Sequence, residues 1–261
     1  MYNMYWFLDS VPTKDLGLTV NGIKSGEDHY VIGGIAGDLA GIIGVYSTLG
    51  LNKTSTGRKF IKNSENLRLA NTVLNNLIDS GKILVFGTVF YHSEIPTIFK
   101  QNPDLFVSSD NPREVGVAGM RGRAFAQTVW IFMDHVLKQS PYINPIVCLD
   151  NEDPVIQQSV KFHFNNQLAR PKPEAEIKVQ SIDKARKDEP KGYIVSDIIC
   201  SILGNYIKFP DRHENFDDLI TKSIKFDSKL EVEQIDGTQL KCRFRTDPVS
   251  KWTLGANSRL G

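Results

Sequence analysis

The sequence contains little cysteine and no large excess of charge of either sign. Three cysteines occur among 261 residues, at positions 148, 200 and 242. Their odd number and wide spacing argue against a disulfide framework and a cysteine-rich zinc site, and they are typical of a reducing compartment. Lysine and arginine number 31 against 30 aspartate and glutamate residues, so binding to a polyanion would need a local basic patch.

Long hydrophobic runs are also missing. The apolar start of the chain ends in Asp9 and is too short and too polar for a signal peptide or a membrane span. It is typical of a first strand instead, so we expect a cytoplasmic protein that has no membrane contact. Hydrophobic residues make up 41% of the chain and charged residues 23%, which is enough for an ordinary globular core.

Strand and helix patterns alternate along the chain, which predicts an α/β fold. Continuous or alternating apolar runs predict strands at residues 5–9, 29–36, 82–91, 143–150 and 176–182, with a further candidate at 16–23. Helical spacing predicts helices at 64–80, about 113–139, from Asp153-Pro154 onward, and 193–206. Ser64 is the expected N-cap of the first of these helices.

The C-terminal part of the sequence has a different character. Residues 229–235 and 239–244 alternate on either side of the turn Asp236-Gly237, which predicts a β-hairpin. We expect residues 1–209 to form the α/β domain. Residues 210–261 are expected to form a small extension that carries the hairpin and has no second core.

Three aspartates are candidates for chemistry. Asp9 ends the first predicted strand, Asp150 ends another, and Asp197 interrupts an apolar helix. Ligands bind at strand ends in open α/β sheets, and a carboxylate is costly to bury without a cation or hydrogen bonds. Together the three would offer oxygen ligands to Mg²⁺ or Mn²⁺, which assist displacement at a phosphodiester. Each also has a structural reading, as a turn cap or a half-exposed helix position.

The order of the elements and several short motifs resemble the bacterial and phage family catalogued as domain of unknown function 3800. The likeness covers roughly residues 4–207. Its motifs are Trp-Phe-Leu-Asp9-Ser10, Tyr30-Val-Ile-Gly-Gly-Ile-Ala36, Val147-Cys-Leu-Asp150, Gln180-Ser-Ile-Asp-Lys184 and Tyr193-Ile-Val-Ser196-Asp197-Ile. The resemblance implies an RNase H-like mixed central sheet flanked by helices. It also implies a metal-dependent nuclease whose catalytic and metal-binding residues are Asp9, Asp150 and Asp197.

Two features of that family are missing from this sequence. Ser10 and Val11 stand where a glutamate is expected after the first-strand acid, and Leu51-Asn52-Lys53 replaces a Glu-x-Lys motif. Two-metal chemistry of this type usually uses four carboxylates, so Asp183 is named as a substitute fourth ligand. The shortfall leaves open a catalytically degenerate fold that binds nucleic acid or a protein partner. A structural subunit that assembles through its hairpin is a third reading.

Two groups of basic residues predict where a substrate would bind. They lie just before the first long helix and just before the Asp197 helix, and in the resembled fold both lie near one edge of the sheet. Phosphate contacts from such loops give affinity without sequence preference, whereas a solvated loop is the alternative. The residues predicted to bind DNA or RNA are Lys53, Lys59, Lys62, Lys184 and Lys187. A protein partner or homo-oligomer and a role in phage–host conflict are further expectations.

Overall fold

A computed structural model of the chain describes residues 2–12, 29–91, 117–140, 143–149, 176–179, 189–208, 216–235, 239–250 and 252. Within these residues seven strands form one mixed sheet, in the order β5-β4-β1-β2-β3-β6-β7. The strands are β1 (Tyr2–Pro12), β2 (His29–Gly37), β3 (Ile83–Tyr91), β4 (Ile143–Leu149), β5 (Glu176–Val179), β6 (Ile224–Ile235) and β7 (Gln239–Pro248).

Strand direction divides the sheet into antiparallel and parallel parts. β2 is antiparallel to both β1 and β3, and β7 is antiparallel to β6. β4 is parallel to β1, β5 is parallel to β4, and β6 is parallel to β3. Parallel pairs need crossover connections, which in α/β proteins are usually helical. The predicted α/β class with a mixed central sheet is confirmed.

Helices cover both faces of this sheet. They are α1 (Leu39–Thr48), α2 (Gly57–Phe60), α3 (Ser64–Asp79), α4 (Val117–Gln139), α5 (Glu189–Lys208) and α6 (Asp217–Lys222). α4 packs against one face, and α1, α3, α5 and α6 contribute to the apolar cluster on the other. None of the described helices is both long and apolar enough to cross a membrane.

Side chains alternate along β1, so successive residues point to opposite faces of the sheet. Trp6 points to the α4 face, where its ring meets Phe132 edge-on with centroids 4.8 Å apart. Phe7 points to the opposite face and meets Tyr193 of α5 edge-on at 5.2 Å. Burying an aromatic side chain of this size contributes about 1.5–3 kcal/mol. Because successive strand residues alternate, Asp9 lies on the same face as Phe7, the face that α5 covers.

Glycines let α5 approach the sheet closely. A Cβ added to Gly192 of α5 would collide with the ring of Phe7. On the sheet, a Cβ at Gly33 or Gly87 would lie 2.8 or 2.9 Å from Cδ1 of Leu203. These distances are shorter than van der Waals contact, so larger residues at these positions would push the helix away.

Several boundaries differ from those expected. β1 continues to Pro12, so Asp9 does not end its strand. The side chain of Asn63, not Ser64, caps α3 by accepting from the backbone N–H groups of Glu65 and Asn66. The helices α1 and α2 were not expected. The candidate strand at 16–23 and the helix from Asp153 lie outside the described residues.

The predicted hairpin is present and has longer arms than expected. β6 and β7 pair along their length, and β6 also pairs in parallel with β3 over residues 86–91 of β3. Trp252 follows the hairpin, is buried, and donates its Nε1–H to the carbonyl of Phe226 at 3.1 Å. Residues beyond 209 therefore contribute two strands and a buried tryptophan to the same central sheet.

Candidate functional site

Asp9 follows the last described pair of β1 with β4. That pair is Leu8 and Leu149, and on the other side of β1 the strand β2 lies beside Asp9 with Gly33 opposite. Asp9 is only 7% exposed, and its Oδ1 accepts from the backbone N–H of Ser10 at 2.7 Å. Asp9 therefore lies within β1, toward the carboxyl end of its parallel pairing with β4, and α/β sheets bind ligands beyond the carboxyl ends of their strands.

Asp150 immediately follows the last described residue of β4, Leu149, and lies outside the described residues. Asp183, Lys184 and Lys187 also lie outside the described residues.

Asp197 has a structural partner that no local pattern indicated. The carboxylate is half-buried on α5, and its Oδ2 accepts from the backbone N–H of Gly57 at 2.7 Å. Its Oδ1 lies 3.5 Å from Oγ of Ser201, one turn further along the same helix. Thr56, the N-cap residue of α2, makes no side-chain capping bond. Asp197 therefore satisfies a backbone donor at the start of α2 that would otherwise lack a partner.

Gly57 meets α5 with no space for a side chain. A Cβ at this position would overlap Oγ of Ser201 and lie 2.5 Å from the carbonyl oxygen of Asp197. Gly57 and Phe60 are buried, although the residues between them are exposed. The backbone of α2 at Gly57 therefore packs directly on α5, and this contact depends on glycine at position 57.

Helix α5 also touches the backbone of Asp9. The thiol of Cys200 donates to the carbonyl oxygens of Asp9 at 3.4 Å and Val31 at 3.6 Å. Cys200 lies one turn after Asp197, so the helix turn that carries Asp197 rests on the strand pair that carries Asp9. The structure brings these two acids onto contacting elements on one face of the sheet.

The donor chemistry of these acids suits hard cations. Carboxylate oxygens are the ligands that Mg²⁺ and Mn²⁺ prefer. Among the residues that the structure describes, however, no group of three or more His, Cys, Asp or Glu side chains could hold a metal ion. A complete ligand set would require Asp150 or Asp183 in addition.

The basic residues predicted before the first long helix are all on the surface. Lys53, Arg58, Lys59 and Lys62 are exposed, and α2 carries two of them. Lys191, at the start of α5, extends over the ring of Tyr46 of α1, with Nζ 5.8 Å from the ring centroid. Arg58 and Lys59 on α2 and Lys191 on α5 thus lie on helices that cover the same face of the sheet as Asp9 and Asp197, and Lys53 and Lys62 flank α2.

Comparison with known proteins adds no relative. No family model, no curated protein and no solved structure matches this chain. Its function is therefore inferred from its own residues and their geometry.

Proposed function

We propose that this protein is a metal-dependent nuclease or phosphodiesterase with an RNase H-like sheet. The strand arrangement supports the fold: β1, β2 and β3 are antiparallel, and β4 and β5 continue the sheet beyond β1, parallel to it. Four of the five motifs that carry the family resemblance fall wholly or partly on β1, β2, β4 and α5, and the motif Gln180–Lys184 lies outside the described residues.

The buried carboxylate of Asp9 is the observation that carries the proposal. It follows Leu8, the last described partner of β4, and it lies on the face that α5 covers. The turn of α5 that bears Asp197 contacts the Asp9 backbone. Asp150 follows β4 directly. Asp9 and Asp197 lie on contacting elements of one face, and carboxylates of this kind, with Asp150 as a third, would suit an oxygen-ligated cation.

Within this proposal, Asp9, Asp150 and Asp197 hold Mg²⁺ or Mn²⁺, and Asp183 is the fourth candidate ligand. A bound divalent ion supplies charge neutralisation at the phosphodiester and orients the attacking water. On Asp197, Oδ1 is the oxygen better placed for this task, because Oδ2 already accepts a short bond from Gly57. Lys53, Lys59, Lys62, Lys184 and Lys187 would contact substrate phosphates.

A nuclease assay with matched amide variants tests the proposal. Asp9→Asn and Asp150→Asn should each abolish Mg²⁺- or Mn²⁺-dependent cleavage of plasmid, single-stranded DNA or RNA, because the amide keeps the shape and loses the charge. Asp218→Asn, an exposed acid on α6, is the control and should cleave normally. Circular dichroism checks that every variant is folded. Full activity in the Asp150→Asn variant would contradict this mechanism.

The missing glutamate predicts unequal affinity for two ions. With Leu51-Asn52-Lys53 where the resembled family carries an acid, we expect one ion to bind well and a second poorly. Activity should therefore be weak, prefer Mn²⁺ because its geometry is more tolerant, and fall further in Asp183→Ala. Isothermal titration calorimetry measures the number of sites directly. Two tight Mg²⁺ sites would contradict the single-ion expectation.

A catalytically degenerate fold that binds nucleic acid or a protein partner is the second candidate. The bond between Asp197 Oδ2 and Gly57 favours it, because that oxygen is committed to holding α2. No binding of either ion at millimolar concentration, together with no cleavage, would select this function. A role in phage–host conflict rests on the family resemblance alone.

A further inference from the structure

Residues 51–63 form a surface segment of one charge sign, here called the basic segment. The sequence has no acidic residue between Asp38 and Glu65, and its four cations in that interval all belong to the basic segment. Each of the four is exposed, and none makes an ion pair within the part of the chain that the structure describes. They are Lys53, Arg58, Lys59 and Lys62. Unpaired cations concentrated on a surface attract polyanions.

The basic segment is fixed to the rest of the protein at a few buried points. Leu51, Gly57 and Phe60 are buried, whereas the cations between and beyond them are exposed. The hydrogen bond from Gly57 to Asp197 ties its middle to α5. Gly57 also packs directly against Ser201. Only one position of the segment on α5 satisfies both this packing and the hydrogen bond to Asp197.

We propose that the basic segment binds the phosphodiester backbone of a nucleic acid, and that Asp197 is a positioning residue that holds the segment on α5 through Gly57. The identity of the partner rests on the proposed function. The contacts that carry the inference, by contrast, do not involve a metal ion or cleavage.

The composition of the exposed surface favours a phosphodiester over a lipid headgroup or an acidic protein. Beside the cations the segment exposes Asn52 and Thr56, side chains of types that hydrogen-bond to phosphate oxygens in nucleic-acid complexes. It exposes no large apolar side chain, because Phe60 is buried and Ile61 half-buried. Surface-bound membrane helices insert such side chains between lipids, so this surface lacks the means to do so.

Two substitutions at Asp197 separate its charge from its hydrogen bond. In Asp197→Asn the amide oxygen can still accept from Gly57, and the amide nitrogen faces the hydroxyl of Ser201. In Asp197→Ala the acceptor is gone and the N–H of Gly57 loses its partner. Both variants remove a negative charge near the segment, so long-range electrostatics alone would strengthen polyanion binding in both. If Asp197→Ala binds more weakly and Asp197→Asn does not, the loss must come from the missing hydrogen bond.

Fluorescence anisotropy with a labelled oligothymidylate, in EDTA and over a series of salt concentrations, measures the contacts. Lys59→Gln and Lys62→Gln should each weaken binding and reduce the slope of log K against log salt by about 0.7, the value for one single-strand phosphate contact. Lys138→Gln removes the same charge from α4, on the opposite face of the sheet, and should change neither quantity. Equal effects of all three variants would overturn the proposed surface.

The Asp197 variants then test the positioning role. Asp197→Asn should bind as tightly as the wild type or tighter, with the same salt slope. Asp197→Ala should bind more weakly, with a smaller slope, although all four cations are still present. Gly57→Ala, which leaves Asp197 intact, should reproduce that loss. Thermal melts identify any variant that is unfolded. A folded Asp197→Ala protein with full affinity and slope would refute the positioning role.

The same binding format distinguishes the partners and the two proposals. Polyglutamate or phosphatidylserine vesicles that compete as well as DNA at equal charge would overturn the nucleic-acid assignment. Because EDTA excludes divalent ions, binding is measured without cleavage. Segment-dependent binding with no nuclease activity would reject the catalytic function and keep this inference. Nuclease activity that is unchanged in Lys59→Gln and Lys62→Gln would keep the catalytic function and reject this inference.

Discussion

Lys225 is a buried cation whose donors are occupied by backbone carbonyl groups. Its Nζ donates to the carbonyl oxygens of Ile220 at 2.6 Å, Thr221 at 3.1 Å and Ser223 at 2.8 Å. The last carbonyls of a helix lack intrahelical donors, and a cation there is also favoured by the helix dipole. The side chain therefore caps the C-terminal end of α6 from the neighbouring strand β6.

The burial of Lys225 predicts a specific dependence of stability on pH. Loss of hydration lowers the pKa of its ammonium group in the folded protein below the ordinary value near 10.4. The unfolded chain then binds this proton more tightly than the folded one. The free energy of unfolding should therefore gain a rising component as pH increases from the lowered pKa to about 10.4.

Urea unfolding at a series of alkaline pH values measures that component when the wild type is compared with Lys225→Met, which cannot titrate at this position. The difference between the two proteins should change in favour of the wild type as pH rises through the window. At neutral pH the variant should be less stable by about 1–3 kcal/mol, because the three carbonyls lose a charged donor. A pH-independent difference would show that the folded pKa is not lowered.

At the scale of elements, the contact of α5 with the sheet depends on glycine. Gly192 lies over the ring of Phe7, and Leu203 lies over the Gly33–Gly87 strand pair. The helix brings Cys200 onto the Asp9 carbonyl only because these residues allow close approach. The position of Asp197 relative to Asp9 is thus set by residues that have no chemical role.

Two glycine substitutions test this packing against a control. Gly192→Ala should destabilise the protein by about 1–3 kcal/mol, because its methyl group would collide with the fully buried Phe7 ring. Gly44→Ala in α1 has no atom within 4 Å of the added carbon and should stabilise by about 0.5–1 kcal/mol through helix propensity. Equilibrium denaturation measures both, and opposite signs are expected. Two similar effects would exclude the packing explanation.

The sequence patterns predicted the elements whose residues alternate between two environments. β3, for instance, was expected to be covered on both faces, and its residues do divide between the two apolar clusters. α1 was missed because it is apolar around its circumference, although Asp38 provides a recognisable N-cap that accepts from the N–H of Gly41. α2 has four residues and no periodic pattern.

The sequence indicated which acids belong to the candidate site, but it indicated their hydrogen-bond partners and strand positions only in part. Local patterns marked Asp9 and Asp197 as unusual acids, and both lie against apolar elements. The partner of Asp197, however, is a backbone N–H separated from it by 140 residues. Such a contact arises from the packing of α2 on α5, so no window of sequence contains it. The continuation of β1 past Asp9 likewise depends on pairing with β2.

At the scale of the whole molecule, the C-terminal hairpin packs into the same apolar clusters as the rest of the sheet. Phe226 of β6 lies in the cluster beneath α4, and Trp252 belongs to the cluster on the other face. The indole of Trp252 packs over Gly87 in the centre of β3. The hairpin therefore shares both apolar layers with the strands near the candidate site, and we expect all of them to unfold together.

Trp252→Ala tests this expectation. Removal of the buried indole should cost about 3–5 kcal/mol, and a single transition should shift as a whole when followed by circular dichroism and by fluorescence. Leu69→Ala, at a side chain that is 43% exposed, is the control and should change stability by less than about 0.5 kcal/mol. A biphasic transition in which only one phase responds to Trp252→Ala would show that the hairpin unfolds separately.

The parallel pairing of β3 with β6 has a consequence for the nascent chain. Synthesis reaches β3 first and must then produce residues 92–223 before β6 exists. At about 5–20 residues per second this takes on the order of ten seconds. Throughout that interval the outer edge of β3, a run of β-branched and aromatic residues, has no strand to pair with and can template another chain. The edge of β3 can be paired only after residues 224–229 have left the ribosome.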